Sequence, residues 1–279
     1  MPVELKFCFE FDAVANIEPW GEPGRAKLHW FGLTSGRYWI ETPVGEVLRY
    51  TNEILAVKGW PSCHVDYQVA RMFEDLQQCL PSVLEAVPLD IAQIVAQPGW
   101  PDRVTAFIEE GEERENKWDL IEAALDWWQD RHIDTLHLKH GQNFHLWRTD
   151  DEVHVQWETM DNYDGSTPVF LVPKGCVNIG VVQFRDAAYG FCEAVLGEMR
   201  GRVDAIKRNG WLRADCSLDV EHLADEQTRR EQAFLEVRNR IIATEWTNVR
   251  AQLMELVEQI GRAERVGMNE RGRGDIGPV

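Results

Sequence analysis

Between Leu28 and Tyr50 the chain reads LHWFGLTSGRYWIETPVGEVLRY, and a second aromatic run, HLWRTDDEVHVQWE, spans 145–158. In the first, Trp30-Phe31 and Tyr38-Trp39 flank Thr34-Ser35-Gly36, the pattern of a β-hairpin whose rings cover one layer of a core, with Glu46 to Tyr50 added beside it. In the second, Val153, Val155 and Trp157 alternate across the Asp150-Asp151 turn from Phe144 to Trp147. Each run gives way to apolar steps of three or four: Val69, Phe73, Leu76, Leu80, Val83 and Val87 after the first, Phe184, Ala188, Phe191, Val195, Met199, Val203 and Ile206 after the second. A hydrophobic period that switches twice from two to 3.6 requires sheets packed on helices. The expected class is α+β, with two aromatic hairpin-plus-helix units followed by C-terminal helices. A duplication and two unrelated αβ units both fit, because few identical residues align.

Val3 to Phe11 alternates as a half-buried strand, with Cys8 on its polar side. The Pro- and Gly-rich stretch from Ile17 to Gly24 reads as a loop plugged onto the core by Trp20. Pro81 is expected to kink or end the first long helix, and a short helix follows over Leu89 to Ala96. Residues 97–116 read as a surface connection, and Trp118, Ile121, Leu125 and Trp128 restore a helix that ends near His132. Thr135 to Leu138 and Val169 to Val172 read as extended, and Asn209-Gly210 as a helix stop. Helices over Leu218 to Ile242 and from Thr244 to Ile260 close the fold, and the Gly- and Arg-rich remainder reads as disordered. The expected segments are therefore 1–96, 97–134, 135–210, 211–260 and 261–279.

A formal charge of -18 disfavours direct grip on nucleic acid, which depends on Lys and Arg neutralising phosphates. It suits a basic protein partner. The six cysteines show no CxxC spacing and read as reduced core residues. No leader pattern or apolar run of membrane-spanning length is present, so the expected setting is cytoplasmic, with no membrane association.

Phosphate-loop, dinucleotide, nucleophile-elbow and HExxH motifs are absent, and no catalytic residue, metal site or cofactor is assigned. The histidines His132, His137, His140, His145 and His154 suit a metal only if they converge; the plainer reading is strand and surface histidines. Asp66, Arg71, Glu74 and Asp75, with Glu41 and Arg49 on nearby strands, read either as acid–base carboxylates or as ion pairs pinning helix to sheet. A ligand pocket between the two units would be lined by Trp30, Trp39, His145 and Trp147, with Glu41 or Arg49 supplying charge. Large rings in periodic segments more often fill a core.

The runs Pro19-Trp20-Gly21, LHWFGLTSGRYWIE at 28–41, LRY at 48–50, VDYQVARMFEDLQQCLPSVLEAVP at 65–88 and HLWRTDDEVHVQWE at 145–158, with a weaker TEWTNVRA at 244–251, resemble a bacterial, mostly actinomycete family of unknown function. Gln68, Ala70 and the stretch past Gly261 depart from its pattern. The resemblance implies a bacterial cytosolic origin and transfers no activity. The function expected is non-catalytic recognition of a protein partner, of an immunity or defence-associated kind; the alternative is an enzyme or small-ligand binder with its pocket between the units.

Overall fold

The computed structural model describes residues 5–273 apart from 23, 98, 110–113, 136, 139, 160–161 and 212, with backbone alone for 114–116 and 266–273. The chain divides into two compact units, Met1–Glu85 with Arg131–Ile241, and Ala86–Asp130 with Ile242–Val279. Each unit is discontinuous in sequence, because partners distant in the chain close its core.

In the larger unit, β1 (Lys6–Phe11) pairs antiparallel with β2 (Ser35–Thr42). The other edge of β2 takes both β3 (Gly45–Val47) and, after α1 (Asn52–Lys58), β4 (Val65–Gln68). The expected hairpin about Thr34 is therefore replaced. Gly32–Thr34 is a tight 3-10 turn, and the partner of Tyr38-Trp39 is β1, with Cys8 opposite Trp39. Thr34 explains the change: its hydroxyl accepts the Ala70 amide and its carbonyl accepts the Val69 amide, so it caps α2 (Ala70–Leu84) instead of turning a ribbon. That helix runs on through Pro81 and stops three residues later, since a proline near the last turn removes one bond without breaking the stripe. Trp20, expected to plug the core, is 48% exposed and packs edge-on against His29 at 4.6 Å.

The smaller unit holds α3 (Leu89–Val95), α4 (Trp100–Glu109), α5 (Arg114–Gln129) and, from the end of the chain, α8 (Trp246–Arg273). Helix α4 occupies the expected connection. Pro101 sits in its first turn, where a missing donor costs nothing, and Trp100, Val104 and Phe107 form its buried stripe. Trp127 meets Trp246 at 5.2 Å, Arg103 reaches Glu264 at 2.8 Å, and Arg250 pairs with Asp90. Helix α8 passes Gly261, where disorder was expected, and residues 274–279 lie outside the described residues.

The larger unit resumes with a meander of β5 (His132–Ile133), β6 (Gln142–Thr149), β7 (Glu152–Thr159) and β8 (Lys174–Gly180). The Asp150-Asp151 hairpin forms as read, whereas the expected Val169–Val172 strand does not and β8 takes the edge; the expected Thr135–Leu138 strand includes position 136, outside the described residues. The strand order does not repeat that of the first sheet. Helices α6 (Val181–Asn209) and α7 (Val220–Asn239) follow. Phe7 on β1 meets Phe184 and Phe191 of α6, while Phe144, Leu146, Val153, Val155 and Trp157 face inward from β6 and β7, so both sheets share one core. Gln142 joins them: its side chain accepts the Leu48 amide at 3.1 Å and donates to the Val172 carbonyl at 2.9 Å.

Candidate functional site

Period two along β2 sends Tyr38 and Ile40 inward and Arg37, Trp39 and Glu41 outward. The Trp39 indole lies parallel to the His64 imidazole, 4.1 Å between centroids at 9°, and its N–H reaches Glu41 at 3.4 Å. The carboxylate of Glu46, on β3, is 3.2 Å from His64 Nε2 and accepts from Arg49 at 2.7 Å. Hydrogen bonds from His64 and then Arg49 hold that carboxyl below the usual range. Beside Trp39 on the neighbouring strand, burial and the Glu41 carboxylate push the Cys8 thiol up to about 12, which makes it a packing group and a poor nucleophile.

Three of the six sequence-derived residues, Trp39, Glu41 and Arg49, thus meet on the outward face of the first sheet, completed by Glu46 and His64. Next to them lies a recess of about 290 Å³ lined by Tyr50, Trp60, Pro61, Ser62, His64 and Asp66. Tyr50 and Trp60 tilt toward each other at 4.7 Å and 48°. Burial, then the Asp66 carboxylate, push the Tyr50 hydroxyl up to about 12.

The other three residues lie away from that face. Trp30 is fully buried: its N–H donates to Gln227 at 2.7 Å and the Arg230 guanidinium lies 4.0 Å over its ring. His145 stacks on His132 at 4.8 Å, and Trp147 on His154 at 5.0 Å, both on the second sheet. Among the described residues no group of three or more His, Cys, Asp or Glu side chains is placed to hold a metal ion.

The carboxylate group of α2 also separates. Glu74 turns to Arg230 of α7 at 2.6 Å, Asp66 stays on β4, and Asp75 pairs with Arg71 at 3.5 Å. Burial raises the Asp75 carboxyl to about 7; Arg71 opposes that rise while Asp134 and Glu74 add to it. Nearby, Tyr38 Oη lies 3.0 Å from Nε2 of His137, whose ring packs on Tyr67 at 4.5 Å. Burial, then Arg71, hold that imidazole down near 4. A carboxyl able to exchange a proton at neutral pH and an imidazole held neutral thus both feel the charge of Arg71. Sequence spacing gave Arg71 and Asp75 together but offered no signal that Tyr38 and His137 join them.

An α+β architecture with an aromatic, charged outward sheet face, and no helix among the described residues long and apolar enough to cross a membrane, sets the class. The chain belongs to the family of unknown function DUF5984, whose sequence profile matches residues 6–252. That agrees with the resemblance carried by the runs at 28–41, 65–88 and 145–158. No curated protein and no solved structure matches the chain.

Proposed function

We propose that the protein is a non-catalytic binding protein of the cytoplasm that recognises a basic protein partner through the outward face of its first sheet. The observation that carries this reading is the Trp39–His64 stack, held between Glu41 and Glu46 on a face where Glu10 and Glu46 keep side-chain exposures of 62 and 34%. A rigid aromatic patch ringed by charge is the composition of a recognition surface, with rings supplying contact area and carboxylates steering a cationic partner. The six free cysteines support a reducing compartment. The test is affinity capture from the native host with the wild-type chain and a Trp39→Ser/Glu41→Lys variant. A stoichiometric partner retained by the first and lost by the second is expected. A partner that binds both equally, or none at low salt, contradicts the reading.

A second reading, a small-ligand acid–base site, is favoured by Asp75, whose Oδ2 is buried without a hydrogen-bond partner beside Arg71. It requires that a ligand shift the Asp75 titration followed by carboxyl NMR. A titration indifferent to every small-molecule fraction of the host extract removes it.

A further inference from the structure

The walls of the recess beside the Trp39–His64 stack are fixed from behind. Phe170 backs Tyr50 at 5.2 Å and 16°, and Trp39 backs His64 at 4.1 Å and 9°. Trp60, 37% exposed, inclines over Tyr50, so two electron-rich rings line one space of about 290 Å³. The carboxylate in that lining, Asp66, joins no hydrogen bond or ion pair among the described residues. Neighbouring cations have closer partners: Arg49 with Glu46 at 2.7 Å, Lys58 over the Tyr163 ring at 4.2 Å, and Arg37 with Glu10 at 2.9 Å, so that Arg37, opposite Asp66 across the strands, only partly offsets the burial that raises the Asp66 carboxyl. Ring faces and a carboxylate that share one space attract positive charge together, and a neutral or anionic group placed there leaves the carboxylate uncompensated. The formal charge of -18 complements a cationic visitor.

We propose that this recess is a socket for one cationic side chain, a lysine ammonium or an arginine guanidinium, presented by the protein partner. The inference rests on the recognition role of the outward face and names the chemistry of one contact in it.

The test titrates Nα-acetyl-lysine methylamide, Nα-acetyl-arginine methylamide and the uncharged Nα-acetyl-norleucine methylamide into the full chain, following the Trp60 indole N–H resonance. Expected are saturable shifts with at least one cationic amide, a response weaker by about tenfold with norleucine, and a similar loss in Asp66→Asn. Asp66 is surface-exposed, so the variant is expected to keep the wild-type melting temperature. Equal response to cationic and norleucine amides, undiminished binding by Asp66→Asn, or no shift with any amide overturns the socket. Partner capture that depends on Trp39 and Glu41 without any amide binding removes the socket alone. Amide binding with no partner ever captured leaves the socket standing and removes the recognition role.

Discussion

Asp75 is held in a setting that favours its protonated form, with a pKa of about 7 against an ordinary value of 3.8. A carboxyl raised on folding stabilises fully below its unfolded pKa, and that stability drains away as pH climbs to the folded value. Its side chain is 12% exposed, and we expect Asp75→Asn to raise stability by on the order of 2 kcal/mol at pH 8 and to change little near pH 4. Thermal unfolding of both proteins at the two pH values checks this, and an equal effect at both contradicts it. His137 and His145, each lowered to about 4, act in the opposite window, costing stability as pH falls from 6.5. The difference between wild type and Asp75→Asn isolates the carboxyl from them. A second residue-scale expectation concerns Trp30, whose buried N–H depends on Gln227. Gln227→Ala is expected to cost about 1–3 kcal/mol in urea unfolding, since it leaves that donor without an acceptor. A cost near zero would indicate that water already reaches the indole, which is incompatible with its place in the core.

Elements were legible in proportion to how far local pattern decides them. The β6–β7 hairpin was read correctly because a two-residue turn and strict alternation are both local signals, and α6 because its stripe is long and uninterrupted. The first hairpin was misread because Trp30-Phe31 carries a strand-like composition, while its actual role is set by Gln227 and Arg230, almost two hundred residues away. Helix α4 was missed because Pro and Gly at its start mimic a loop. Gly36 tests the β1–β2 pairing that replaced the expected hairpin: a Cβ there would stand 2.2 Å from the Glu10 carbonyl oxygen. Gly36→Ala is expected to lower stability by about 2 kcal/mol or more, because backbone on both strands must part. An unchanged melting temperature would mean that β1 does not lie against β2 in this register. The site followed the same rule. Trp39, Glu41 and Arg49 stand in patterned strands and can be grouped from sequence, but His64 and Glu46 have no local signature, since a loop and a third strand bring them to the indole.

At the scale of the whole molecule, the proposed recognition joins net charge to the outward face. With a formal charge of -18, association with a basic partner is expected to weaken as salt rises toward about 0.5 M, because exposed charges separated by more than about 4 Å are then largely screened. Binding rates followed across that range check this, with salt-independent association the contrary result. The family DUF5984 spans residues 6–252, and therefore includes every residue of the outward face and its recess. The most direct measurement places a photo-crosslinking phenylalanine analogue at position 39 in one variant and at Leu235, an exposed position on α7, in another. Irradiation in the native host is expected to join position 39 to one discrete protein and Leu235 to none. A discrete adduct from Leu235 with none from position 39 would place recognition elsewhere on the molecule and contradict the account.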